Sequence, residues 1–349
     1  VVEWILHRSR EETMIAGLEY LWMIFFVMIV SGIAKEHNLF MPLYSYIKDS
    51  FQNNRLVLFL TSALGGILPI EGRVTVSAGV LDTLASKKCV CGRQKMGIVD
   101  YLSTHHYYLW SPLEKTVILP MAAMGLTYGA WLGIIWPLLS VTSLFIVHYV
   151  FWRVNEEDIQ IDFTPFKMSA IMRNVMPFFV AIGTYAWLGG DKHIFAIFGT
   201  LALYYVFLTQ TWDLKKLRSY IKWDVLVTVA VVIVAGNYFK SQSNQITEMI
   251  RSHGSSLAVA SLLSFVASFF MGSSGKFIAL AVLTSSIFGP QYFLWFFAID
   301  YAGYLLSPTH KCVAVGNKYF GTPLKDYYKV LGVWCLLLIA TASVFTFML

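Results

Sequence analysis

The chain has 349 residues, of which 57% are hydrophobic and 13% charged, with a net charge of +6 and a mean hydropathy of +0.62. A soluble domain carries about a quarter charged residues, so this composition excludes a water-covered surface and makes lipid the solvent for most of the chain. The Lys and Arg residues sit in short clusters between apolar runs, which argues against a nucleic-acid binder and fits a positive-inside bias.

In chain order, residues 1–13 are polar and interfacial, and residues 14–34 form an apolar run long enough to span a bilayer. Residues 39–51 are amphipathic and too short to span, so they read as a helix lying in the interface. Residues 55–85 are apolar but broken at their centre by Pro69, Ile70, Glu71, Gly72 and Arg73. Each half is too short to cross alone, which predicts a re-entrant hairpin whose irregular tip must be covered by protein or water. The basic run Lys87, Lys88, Arg93 and Lys95 marks the loop 86–95 as cytoplasmic. Residues 96–125 read as a helix interrupted at Ser111-Pro112, where proline removes a donor and clashes with the preceding turn.

Residues 126–152 span normally, and 153–168, with Glu156, Glu157, Asp158 and Asp162, read as a polar linker. Further spans are predicted at 170–189, 193–211 and 223–239, the last preceded by the basic loop 212–222. A second hairpin follows at 257–285, broken at Gly272, Ser273, Ser274, Gly275 and Lys276. A second interrupted helix follows at 291–315, broken at Ser307-Pro308, and 327–348 is the last span. The four cysteines form no disulfide framework. Cys89 and Cys91 lack further ligands for a metal, and Cys312 and Cys335 fall in apolar segments, so reduced thiols and no metal site are expected.

Two copies of one pattern are visible. VMIVSG at 27–32 matches VVIVAG at 231–236, Gly72-Arg73 matches Gly275-Lys276, and YLWSPLEK at 108–115 matches YLLSPTHK at 304–311. Counting crossings starts the second copy on the face opposite to the first. The expected architecture is therefore all-α integral membrane, an inverted-topology repeat of 1–168 and 169–349 with two re-entrant hairpins and two interrupted helices. Lys35, Lys48, Arg55, the 86–95 cluster and the 212–222 cluster fall on one side. That side is then cytoplasmic, the C-terminus extracytoplasmic, and the chain a multi-pass protein of a prokaryotic inner membrane. No cleavable signal peptide is visible, and the second copy has two leading spans that the first lacks. From this and the Val1 start, up to two further helices are expected upstream.

Helix ends at four mid-membrane breaks present partial charges of both signs, suited to an anion at N-terminal ends and Na⁺ at free carbonyls. Candidate binding residues are Glu71, Gly72, Arg73, Ser111, Pro112, Ser273, Ser274, Gly275, Lys276, Ser307 and Pro308. Arg73 and Lys276 suit an anionic substrate, and also suit pairing with Glu71 or snorkelling. His105, His106, Glu114 and His310 are candidates for a proton relay, with structural roles as the alternative.

RLVLFLTSALGGILPIEGRVTVSAG, DYLSTHHYYLWSPLEKTVILP and GYLLSPTHKCVAVGNKYFG resemble an uncharacterised family of prokaryotic integral membrane proteins. That family is placed in the ion transporter superfamily with divalent-anion/sodium symporters, citrate transporters and arsenite pumps. The resemblance covers about residues 14 to 325. It implies a scaffold domain and an elevator-type transport domain, with Na⁺ and a carboxylate held at the hairpin tips and helix breaks. The Ser-Asn-Thr tip signature of the dicarboxylate carriers is absent here: the tips read Pro-Ile-Glu-Gly-Arg and Gly-Ser-Ser-Gly-Lys.

The expected function is a secondary active transporter for a small anionic solute, coupled to Na⁺ or H⁺, with no catalytic residues and no cofactor beyond Na⁺ as coupling ion. Expected partners are membrane lipid, the solute and, by fold analogy, a second copy in a homodimer. The alternatives are a membrane-embedded metal-dependent enzyme built on His105, His106, Glu71 or Glu114, and a non-transporting subunit of a larger assembly.

Overall fold

The computed structural model describes residues 10–67, 81–82, 84–85, 90–112, 114–160, 166–188, 193–221, 223, 226–227, 230, 256–271, 274–308, 310, 312–313, 317 and 320–348. Among them the fold is helical, and an isolated bridge pairs Ala85 with Ile159.

Helix α1, Arg10–Glu36, ends where Asn38 takes a left-handed φ of 50°. Asn tolerates that region well, and the chain turns there by 68° into α2, Met41–Ser50, which opens with Pro42 in its first turn. Helix α3, Asn54–Ile67, is the leading arm expected of the first hairpin. Glu71, Gly72 and Arg73 at its predicted tip lie outside the described residues.

Helix α4, Val90–His105, starts six residues before the expected 96. Arg93 and Lys95 therefore sit on a helix rather than in a loop. Their charges are compensated locally: Arg93 pairs with Asp82 at 2.9 Å and Lys95 with Asp158 at 2.7 Å. Asp158 is 4% exposed, and its side chain also accepts from the Asn155 backbone N–H at 2.8 Å. Within the acidic linker, Asp158 thus folds back onto α4, while Glu156 and Glu157 are exposed and Asp162 lies outside the described residues.

After the first break come α5, Lys115–Met124, and α6, Tyr128–His148, which continues as a π turn to Arg153. Gly125, at φ 67°, ends α5 in the left-handed conformation that glycine adopts without a Cβ penalty, and Thr127 caps α6 by accepting from Ala130 N–H at 3.2 Å. The expected span 170–189 is two pieces, α7, Met168–Asn174, and α8, Met176–Leu188, with Pro177 in the first turn of the second. Proline has no N–H to continue the ladder from α7. Then come α9, Ile194–Thr209, and the short α10, Leu214–Tyr220, inside the predicted basic loop. Helices α11, Leu257–Met271, α12, Ser274–Phe288, α13, Phe293–Leu305, and α14, Leu324–Phe347, follow among the described residues.

Among the described residues, two helical stretches, Tyr128–Arg153 and Leu324–Phe347, are long and apolar enough to cross a membrane, and the bent α1–α2 pair is a third if it counts as one span. Leu144, Trp152, Trp187, Phe270 and Leu336 point outward and exposed, an apolar exterior that water would not stabilise. Helix α13 lies at the centre, packed by α11, α12 and α14, and along it Trp295 alone is less than buried. Its sequence FLWFFAIDYAGYL is apolar all round but for Asp300, as suits a helix surrounded by others. Gly303 permits a close backbone approach: a Cβ there would stand 2.6 Å from the Phe265 carbonyl oxygen of α11.

Candidate functional site

Both Ser-Pro segments interrupt their helices, and the two interruptions meet. In the first, α4 ends at His105 and passes into a 3-10 turn at His106–Tyr108. The Ser111 N–H then bonds to Tyr107 O at 2.9 Å and the Glu114 N–H to Ser111 O at 3.0 Å before α5 begins. In the second, α13 ends at Leu305. The Ser307 N–H reaches Tyr304 O, the His310 N–H reaches Ser307 O and the Val313 N–H reaches His310 O, each at 3.2 Å. Two successive tight turns so replace the helical ladder and swing His310 back toward α4.

Breaking a helix orphans carbonyl groups, and in lipid each orphan costs several kcal/mol unless a donor finds it. Here side chains supply the donors. Thr116 Oγ1 donates to Tyr108 O at 2.7 Å, Trp131 Nε1 to Leu109 O at 2.8 Å and Tyr128 Oη to Trp110 O at 2.6 Å. Across the helix pair, Tyr301 Oη donates to His105 O at 2.7 Å and Tyr101 Oη to Leu305 O at 3.0 Å. The carbonyls of His105, Tyr108, Leu109, Trp110 and Leu305 thus each accept a side-chain hydrogen bond within the protein.

At the meeting point, His105 Nε2 and His310 Nε2 stand 2.9 Å apart. His105 is 0% and His310 2% exposed. The His105 ring stacks on Tyr101 at 4.0 Å between centroids, and the Tyr108 and Tyr304 hydroxyls lie 3.3 Å apart beside it. Cys312 completes the cluster: one ligand atom from each of His105, His310 and Cys312 falls within 4.8 Å of the others.

The other predicted residues distribute as follows. Ser111, Pro112 and Ser307 are buried at the breaks, whereas Pro308 is exposed. Glu114 is buried at the start of α5. His106 turns away from the histidine pair: its ring stacks on Trp110, whose Nε1 donates to His106 Nδ1 at 2.9 Å. Of the relay candidates, His105 and His310 are brought into contact and His106 is not. In the second hairpin, Ser274, Gly275 and Lys276 form the first turn of α12, and Ser273 lies outside the described residues.

Sequence reasoning passed over Asp100, Asp300, Tyr101 and Cys312. Asp100 is 1% and Asp300 0% exposed. Ser268 Oγ of α11 donates to Asp300 Oδ1 at 3.0 Å, while Asp300 Oδ2 takes no hydrogen bond among the described residues. The signal was present as an Asp-Tyr pair inside each apolar run, IVDYL and AIDYA, since a carboxylate at membrane depth is costly and marks a functional position by default.

No curated protein matches the chain. Residues 15–348, nearly all of the helical structure described above, match one family model, and the chain belongs to that family, described as Protein of unknown function (DUF401).

Proposed function

We propose that this chain is a secondary active transporter that moves a small anionic solute across a prokaryotic inner membrane. Transport is coupled to Na⁺ or H⁺ and proceeds by alternating access of the elevator type on an inverted repeat. The observation that carries the reading is the way the two breaks meet. Aligning YLWSP at 108–112 with YLLSP at 304–308 makes Tyr108 equivalent to Tyr304 and His105 equivalent to Tyr301. Both pairs of equivalents touch each other, at 3.3 and 2.7 Å, with the same separation of 196 residues. Equivalent positions lie against one another beside a two-fold axis, and a pseudo-two-fold axis through paired broken helices suits a binding site at mid-membrane.

Two further features favour coupling to a cation. Asp300, fully buried with one oxygen lacking a hydrogen bond among the described residues, is an acceptor for a proton or Na⁺ at membrane depth. Five carbonyls at the breaks already accept side-chain hydrogen bonds, which favours a carboxylate as cation ligand. The anion would be met by Arg73, Lys276 and the N-terminal end of α12, where helix-end N–H groups favour negative charge.

The test is uptake by proteoliposomes under imposed Na⁺ and pH gradients, with a panel of labelled carboxylates and oxyanions. An Asp300→Asn variant is expected to bind solute yet lose gradient-driven accumulation. Accumulation of no anion under either gradient, together with a melting temperature unmoved by any anion, sinks the proposal.

A further inference from the structure

The hydrogen bonds around the two histidines determine where their protons sit. His105 Nδ1 is 2.6 Å from Tyr101 O. A carbonyl oxygen only accepts, so Nδ1 carries the hydrogen. His310 Nδ1 is 3.1 Å from Tyr304 O and 3.1 Å from Tyr101 Oη, and the Tyr101 hydroxyl proton is directed at Leu305 O at 3.0 Å. His310 Nδ1 is therefore a donor as well. A neutral imidazole protonated at Nδ1 has a bare lone pair at Nε2. The two lone pairs then face each other at 2.9 Å, an arrangement that repels unless an electron-pair acceptor lies between them.

A shared proton would answer the histidine pair alone, whereas the ligand atom of Cys312 also lies within 4.8 Å of those of both histidines. A metal ion uses all three. We propose that His105 Nε2, His310 Nε2 and Cys312 Sγ bind a soft closed-shell metal ion, copper(I) or zinc(II). Thiolate with imidazole is the donor set these ions prefer. The surroundings match what such sites require, because a metal-bound histidine donates its other N–H to a carbonyl that fixes tautomer and ring orientation. Tyr101 is the positioning residue: its carbonyl holds His105, its hydroxyl holds His310 and its ring stacks on His105.

Charge bookkeeping agrees with burial. Binding displaces the Cys312 thiol proton to water, and one thiolate then neutralises copper(I) fully and zinc(II) by half, which lowers the cost of a cation at membrane depth. At a tetrahedral zinc the two nitrogens would stand about 3.3 Å apart, so the pair opens by a few tenths of an ångström on loading. The site stands independently of the transport reading, because occupancy is a property of the purified protein whether or not it moves a solute.

The experiment loads purified full-length protein in detergent with Zn²⁺, with Cu⁺ under reducing conditions, or with Co²⁺ as a spectroscopic probe. The expected result is about one metal per chain and a cobalt complex with a thiolate-to-metal charge-transfer band. Cys312→Ser and His310→Gln are expected to weaken binding at least about tenfold, the scale on which even outer-shell changes act, and to remove that band. Cys91→Ser, at an exposed thiol far along the chain, should bind as the parent does. Should the substituted chains fail to fold, maleimide labelling of Cys312 in the parent decides: metal is expected to slow it and chelator to restore it. Binding of none of the three ions, a Cys312→Ser chain that keeps both affinity and band, or labelling indifferent to metal overturns the proposal.

Discussion

The two Ser-Pro breaks share a five-residue sequence pattern and differ in what surrounds them. At the first, three carbonyls from Tyr108 to Trp110 are bonded by Thr116, Trp131 and Tyr128, and the segment is walled in by the aromatic first turns of α6. At the second, the chain turns back on itself and delivers His310 and Cys312 against α4. The neighbouring position differs too: Tyr107 stands in the first segment where Gly303 stands in the second. The large residue fills space beside the first break, whereas the glycine lets α11 approach α13 to within backbone contact. One break is built as a wall and the other as a donor-bearing surface, although proline interrupts both helices in the same way.

The largest effect should come from erasing that difference at Gly303. Gly303→Val places side-chain atoms against the Phe265 carbonyl and Ser268, and overpacking of this kind costs about 1–3 kcal/mol or more. A fall of several degrees in the detergent melting temperature is expected, and an unchanged melt would mean that α11 does not pack as described. Next comes Trp131→Phe, which keeps a ring in place but leaves Leu109 O without its donor. Stranding a buried carbonyl costs about 1–3 kcal/mol. If this change were harmless, the first break would have to be as open as the sequence alone suggests.

Smaller effects should separate the contacts across the helix pair. Tyr301→Phe removes the 2.7 Å bond to His105 O and is expected to cost about 1 kcal/mol, read as a melting shift. Tyr108→Phe removes a longer 3.3 Å hydroxyl contact to Tyr304, and a loss below about 0.5 kcal/mol is expected for so weak a bond. The reverse order would place the tighter contact across the helix pair at the tyrosine pair instead.

Much of the helical character was legible because it is local. Apolar runs and the prolines Pro112 and Pro308 act within a few residues, and their effects on backbone geometry do not wait for distant partners. The departures came from charges and packing. Arg93 and Lys95 read as loop residues, yet Asp82 and Asp158 allow them to stand on α4. The stretch 170–189 read as one span, yet Pro177 divides it.

The candidate site was legible in half. The sequence named His105, His106 and His310 as a group, but a proton relay needs contact, and contact depends on which ring each turn directs toward which helix. His106, next to His105 in the chain, is instead held on Trp110 four residues further on. Cys312 carried no signal, because a single thiol in an apolar run reads as packing until two imidazoles stand beside it.

By itself the sequence determined that this is a chain of apolar helices with two proline-broken segments, because composition and proline geometry act without regard to distance. Only the tertiary structure decided that the breaks face each other, that five of their carbonyls accept side-chain hydrogen bonds, and that histidines 205 residues apart share a 2.9 Å contact. Those outcomes depend on helix–helix packing, where a glycine at 303 or a tyrosine at 101 sets the approach of two backbones, and no local pattern encodes that distance.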